Sequence, residues 1–260
     1  MSWQRNDLTV NGVRLEAVHC PPRDPSYPSL VFLHEGLGCV AMWRDFPRLL
    51  CELSGCGGLV YSRQGYGSSD PCTLPRPLSY MHKEALEVLP AVLAESDIVE
   101  HIVIGHSDGA SIGLIHAANP TRSGLRGLIS MAPHVICEEV SVQSIRKTSE
   151  AYLAGTLKAG LPKHHGANTP CAFWGWNKAW LDPEFRDWNI TQYLPEISVP
   201  QLVIQGQDDE YGTLAQVDII SAHSGASVRP VILENCGHNP CREQTTLCLE
   251  ITSDFINSLL

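Results

Sequence analysis

Short apolar runs, each bounded by turn-forming residues, recur along the chain: SLVFLH at 29–34, GGLVYS at 57–62, EHIVIG at 100–105, GLRGLISMA at 124–132, PQLVIQG at 200–206 and VRPVILE at 228–234. Runs of this length, apolar without strict alternation, are the form taken by interior strands covered on both faces. The amino-terminal stretch differs. LTVNGVRLEAVH alternates apolar and polar positions on both sides of Asn11-Gly12, a dipeptide suited to a tight turn, and predicts an opening β-hairpin. Between the strands the period lengthens. In SYMHKEALEVLPAVLAESD, Ala85, Val88, Leu89, Val92 and Leu93 share one helical face, and Pro90 should kink or divide the helix. Further helices are predicted from about Ser107 to Asn119-Pro120, near 213–223, and from about Arg242 to Leu259.

Strands separated by helices of this length imply βαβ units, hence an α/β fold with a mostly parallel central sheet and helices on both faces. The rhythm breaks between His134 and Tyr193. No strong buried strand is evident there, and the aromatic-rich AFWGWNKAWLDPEFRDW lies among helical segments. The pattern thus predicts a core of residues 1–133 and 194–260 carrying a mainly helical cap, residues 134–193.

Composition narrows the class of partner. With 260 residues the chain can build one sizeable core. Lysine and arginine number 18 against 28 acidic residues, and a net charge of -10 opposes binding to nucleic acid or anionic lipid. MSWQRNDLTVNGV has charges where a signal peptide would be apolar, and no run reaches membrane-spanning length, so a cytoplasmic location is expected. The ten cysteines form no CxxC pair and no zinc spacing, which predicts free thiols used as small packing groups. Adjacent His164 and His165 lack a companion ligand and read as polar cap surface, so no metal or cofactor is expected.

Candidate chemistry sits at the strand ends. Gly105-His106-Ser107-Asp108-Gly109 matches G-x-S-x-G between an apolar strand and a helix, where a sharp turn raises the serine hydroxyl at the helix head. A serine nucleophile needs a base, and the base needs an anion to fix its tautomer. Asp208 and Asp209 follow the next-to-last strand, and His238 lies in the loop after the last one. Serine, acid and histidine therefore occupy strand ends in succession, where sites of open α/β sheets form.

With the HEGLG loop, SRQGYGSSD, GHSDG, the QGQDD turn and CGHNP in this order, nearly the whole chain resembles the α/β-hydrolase superfamily, in its serine-hydrolase branch with a helical cap. The resemblance implies Ser107 as nucleophile, His238 as base and, from the G-x-x-D turn, Asp209 rather than Asp208 as acid. It places the oxyanion donors at the Asp108 N–H and in the early loop. Related chains have histidine followed directly by glycine there, whereas this one inserts Glu35 before Gly36, leaving Leu37, or alternatively Gly36, as the second donor. Glu35 and the Asp108 side chain are candidates to place negative charge near the pocket, unless either pairs with Arg63.

Among the aromatic residues, Trp43, Trp174, Trp176 and Trp180 are the candidate substrate-binding set, with Met42 and Tyr66 as further approaches from the core. Trp174 and Trp176 cannot share a helical face, so one is expected at the pocket and the other elsewhere. The expected activity is hydrolysis of a small or medium, mainly apolar carboxylic ester through an acyl-serine. Substrate and water are the only partners it requires. Thioester, lactone or carbon–carbon hydrolysis, and a non-catalytic ligand-binding role, are the competing readings.

Overall fold

The computed structural model describes residues 1–120, 123–155, 157 and 160–260. Its chain opens with the hairpin: β2 (Leu8–Val10) pairs antiparallel with β3 (Val13–Leu15) through a two-residue turn, after the short β1 (Gln4–Arg5). Asn11 at φ 52° and Gly12 at φ 78° supply the two left-handed residues that this turn needs. The main sheet adds β4 (Ala17–Cys20), β5 (Ser29–Leu33), β6 (Gly57–Tyr61), β7 (His101–His106), β8 (Leu125–Met131), β9 (Gln201–Gly206) and β10 (Val228–Leu233). Among the described residues its order is β1-β4-β6-β5-β7-β8-β9-β10, parallel from β6 to β10 and antiparallel at the β1/β4 edge.

Alternation along each strand builds two cores. Val31, Leu33, Val103, Leu128 and Val203 face one side, and Leu30, Phe32, Ile102, Ile104, Ile129 and Ile204 face the other. Both sides are covered, so most residues of β5 through β9 are buried, as the near-continuous apolar runs anticipate. On the second face lie α1 (Phe46–Ser54) and, at the chain end, α10 (Thr245–Asn257), which contribute Leu50, Cys248 and Ile256. The first face receives α4 (Asp108–Ala117), all ten of whose residues are buried. This face also holds the predicted Pro90 helix, which the structure divides: α2 (Tyr80–Lys83), a π-helical turn Glu84–Val88, then α3 (Leu89–Glu95). Pro90 has no N–H for the carbonyl four residues back, and the widened turn precedes it.

The strand order reverses beside β5. The chain leaves β5 for β6 on one side and returns to β7 on the other, so the loops after β5 and β7 diverge and leave a crevice at their carboxyl ends. Between β8 and β9 the chain is helical, as its pattern predicts: α5 (Glu139–Leu153), α6 (Pro162–His165), α7 (Thr169–Leu181) and 3₁₀ turns at 166–168, 183–187 and 191–196. This helical cap is tied to the core by polar contacts. His165 Nδ1 accepts from the Gly67 N–H at 3.0 Å, so its Nε2–H donates to the Leu37 carbonyl at 3.0 Å, and Asn168 donates to the Ser69 carbonyl at 2.6 Å. His164 remains partly exposed, but His165 is buried; the polar-surface reading of the pair is corrected for this residue, whose two ring nitrogens are both used.

The predicted final helix is also two: α8 (Ala215–His223) precedes β10, and beyond it α9 (Pro240–Glu243) breaks at Gln244 before α10. The break has a local cause. Glu243 accepts from the N–H groups of Gly237 and Asn239, at 2.7 and 2.9 Å, and Gln244 donates to the Glu234 carbonyl, so this turn holds the loop that carries His238.

Candidate active site

Ser107 stands at the crevice between β7 and α4 with φ 53° and ψ -119°, a backbone conformation that costs a residue with a side chain about 1–3 kcal/mol. The surrounding glycines make the turn sterically feasible. A Cβ on Gly105 would lie 2.3 Å from the Gly109 carbonyl oxygen, and one on Gly109 would lie 2.0 Å from that of Leu33. The nucleophile turn is thus packed directly on β5 and on itself, which is the physical content of the G-x-S-x-G spacing.

The other two groups meet this hydroxyl. The Ser107 O–H donates to His238 Nε2 at 2.9 Å, and His238 Nδ1–H donates to Asp209, with Oδ1 at 2.9 Å and Oδ2 at 2.8 Å. An ionised carboxylate only accepts, so Asp209 fixes the proton on Nδ1 and leaves Nε2 free to take one from serine. The Asp209 side chain is 1% exposed and also accepts from Gln205 Nε2 and from the N–H groups of Tyr211 and Gly212. Burial opposes its charge, but the hydrogen bond and charge of His238 and the Tyr211 amide outweigh that and hold its carboxyl below the usual value. Asp208 is exposed and, among the described residues, contributes only its backbone N–H, to the Cys236 carbonyl.

The loop after β5 forms the opposite wall. Gly38 N–H closes a turn on the Glu35 carbonyl at 3.1 Å, leaving the N–H groups of Gly36 and Leu37 without an acceptor among the described residues. Arg63 braces this turn by donating to the carbonyls of His34 and Glu35. It pairs with neither Glu35 nor Asp108 through their carboxylates. Asp108 N–H opens α4, where the first N–H groups of a helix lack internal partners. The Asp108 carboxylate is turned away into the interior, where it accepts from Tyr80 Oη–H and from Trp180 Nε1–H at 3.1 Å. Burial pushes this carboxyl up. The Asp108 side chain therefore ties the nucleophile helix to α2 and the cap.

Ser107, Asp108, His238, Gly36, Leu37 and Glu35 line one cavity of about 320 Å³, closed from the cap side by Trp176 and Trp180. Trp176 packs tightly against the early loop: a Cβ on Gly36 would come within 2.3 Å of its indole. Met42 also reaches this cavity. The structure does not bring Trp43 or Trp174 to it. Trp43 packs among Phe32, Phe46 and His106 in the core, and Trp174 packs on Tyr152 and Phe173 within the cap, on a different face of α7 from Trp176. Tyr66 is likewise buried, between His34 and the guanidinium of Arg76. A larger depression of about 790 Å³ beside β4 contains no member of the serine–histidine–aspartate set.

Several residues at the site carry no sequence motif. His106 Nε2–H donates to the His238 carbonyl at 2.7 Å, and its Nδ1 lies 3.6 Å from the Glu35 carboxylate. Burial opposes both charges, yet the pair overcomes it: Glu35 is held below its usual value and His106 above. Tyr211 packs against the His238 ring at 4.7 Å, and the His134 ring, also lining the cavity, stands 5.7 Å from it. Contact across non-local strands places them, and only His106 is flagged by its position inside GHSDG. Among the described residues no group of three or more His, Cys, Asp or Glu side chains is arranged to hold a metal ion, and no helix is long and apolar enough to cross a membrane.

Comparison with known proteins gives the same architecture. Residues 30–248 match the profile described as the alpha/beta hydrolase family. A curated relative, 2-succinyl-6-hydroxy-2,4-cyclohexadiene-1-carboxylate synthase of Salmonella paratyphi C, is 26% identical over 136 residues, 52% of this chain and 50% of that protein. The chain thus spans about half the length of the curated relatives it matches. Among solved structures, VinJ superposes with a TM-score of 0.74 at 21% identity, covering 99% of each chain. An esterase from Exiguobacterium antarcticum superposes at 0.74 with 17% identity, over 97% of this chain and 99% of its own.

Proposed function

Because the chain belongs to the alpha/beta hydrolase family and has the geometry of a serine hydrolase, we propose that it cleaves carboxylic esters of small or medium, largely apolar acyl groups through an acyl-serine intermediate. One observation carries this reading: the hydroxyl–imidazole–carboxylate relay of Ser107, His238 and Asp209 opens on an indole-walled cavity. In the first half-reaction His238 Nε2 takes the Ser107 proton as Oγ attacks the carbonyl carbon. The N–H groups of Asp108 and Leu37, with Gly36 as the alternative, receive the developing oxyanion. His238 then gives the proton to the departing alkoxide, and the acyl-serine forms. Water, deprotonated by His238, attacks it in the second half, releasing the acid and restoring the serine. Residues 134–193 act as the cap that supplies Trp176 and Trp180, over a core of 1–133 and 194–260. Ten free thiols support a reducing, cytoplasmic setting.

Labelling with a fluorophosphonate followed by peptide mapping tests the nucleophile, and a screen of esters, thioesters, lactones and vinylogous diketones tests the reaction. The expected result is a single adduct at Ser107 and fastest turnover among the esters. No adduct despite an accessible cavity would leave a ligand-binding protein with a hydrolase shell. An adduct with faster thioester, lactone or diketone cleavage would keep the serine chemistry and overturn the substrate class.

A further inference from the structure

His134 belongs to the wall of the Ser107 cavity, yet the hydrolytic relay does not use it. Its main chain is pinned from two helices. Ser111 Oγ–H of α4 donates to its carbonyl at 2.6 Å, and Gln216 of α8 accepts from the next N–H, that of Val135, at 2.7 Å. The ring stands edge-on to Trp180 with centroids 5.1 Å apart, and Gly212 backs it, where a Cβ would lie 3.1 Å from Cε1 and 3.4 Å from Nδ1. His134 is therefore held in place, 3% exposed, while its imidazole makes no hydrogen bond among the described residues.

The two ring nitrogens are not equivalent. Nδ1 is closed off from solvent and unpartnered. Nε2 has no partner among the described residues either, but it is not closed off, and the cavity is the space its residue lines. Burying an N–H without an acceptor is the rarer and costlier arrangement, so the ring proton belongs on Nε2 and the bare lone pair on Nδ1. Burial, reinforced by the nearby His238, lowers the His134 pKa to about 3. His134 thus stays neutral while His238 takes and gives protons.

We propose that His134 is a specificity residue whose Nε2–H reads a second acceptor oxygen in the substrate, beyond the carbonyl being attacked. The preferred ester carries a keto, ether or hydroxyl oxygen on its acyl or its alcohol portion. The proposal rests on the ester-hydrolase reading above and deepens it. A donor left unpaired when substrate fills the cavity disfavours that substrate, so an ester supplying the acceptor is turned over about tenfold or more faster than one that does not.

Isosteric swaps of one methylene for oxygen test this. Butyl pentanoate is the parent; butyl methoxypropanoate moves an ether oxygen into the acyl chain and methoxyethyl pentanoate into the alcohol, with each kcat/KM divided by the alkaline hydrolysis rate to remove intrinsic reactivity. Wild type is expected to prefer one oxygenated ester by about tenfold or more, and which one identifies the side that His134 reads. In His134→Phe that ratio should fall to parity, and in His134→Gln, whose amide still donates, part of it should return. Parity among the three esters in wild type overturns the proposal, and this arm stands even if a variant folds poorly. A ratio unchanged in folded His134→Phe overturns it equally. Absence of both turnover and a Ser107 adduct would instead remove the ester-hydrolase reading on which it rests.

Discussion

Ser107→Ala and, separately, His238→Ala should lower kcat for ester hydrolysis by about a million-fold while leaving the fold intact. Each removes one member of a relay that acts as a unit. Without Oγ there is no covalent route, and without the imidazole the hydroxyl has no base within 2.9 Å. The double variant should be no slower than either single one, because nothing remains for the second substitution to remove. Residual catalysis would come from the backbone N–H donors and the cavity alone. The check is steady-state kinetics beside circular dichroism; a loss below tenfold in a folded Ser107→Ala variant would show that the reaction proceeds without an acyl-serine.

Asp209→Asn should cost about ten-thousand-fold in kcat, and Asp208→Asn close to nothing. The difference is geometric. Asp209 accepts the His238 Nδ1–H, whereas Asp208 is exposed and its carboxylate has no hydrogen-bond partner among the described residues. A neutral amide at 209 can turn its NH₂ toward Nδ1, which moves the ring proton to Nε2 and removes the base that serine needs. The same carboxylate has a stability signature. Its folded value is depressed below the ordinary carboxylate value, so its contribution is fully present above the unfolded value and is lost as pH falls through the folded one. The stability gap between wild type and Asp209→Asn should accordingly narrow on acidification below the ordinary carboxylate range. A reversed order of the two aspartates in kcat would reassign the acid.

The parts of this molecule that local sterics dictate were readable from the residues. A two-residue turn demands Asn11-Gly12, β5 through β9 are buried on both faces and show it as apolar runs, and the nucleophile turn excludes side chains at 105 and 109. Cap residues were less readable. Trp43, Trp174, Trp176 and Trp180 are alike as residue types, and whether an indole faces the cavity depends on how α7 sits on the early loop, a contact between segments more than a hundred residues apart. His134 and His106 were missed for a related reason. A histidine becomes part of a site through its neighbours, and those neighbours come from the loop after β10, from α7 and from the early loop. Asp108 shows the opposite case, since its N–H role follows from position alone while its side chain is committed to Tyr80 and Trp180.

The left-handed backbone at Ser107 means that reactivity and thermal endurance are opposed at a single codon. Glycine there would release the strain, about 1–3 kcal/mol, against about 0.5–1 kcal/mol for the added freedom of the denatured chain. Ser107→Gly should therefore melt no lower than wild type, and up to a few degrees higher, while being inert. A library ranked by melting temperature alone would enrich for molecules that have stopped working.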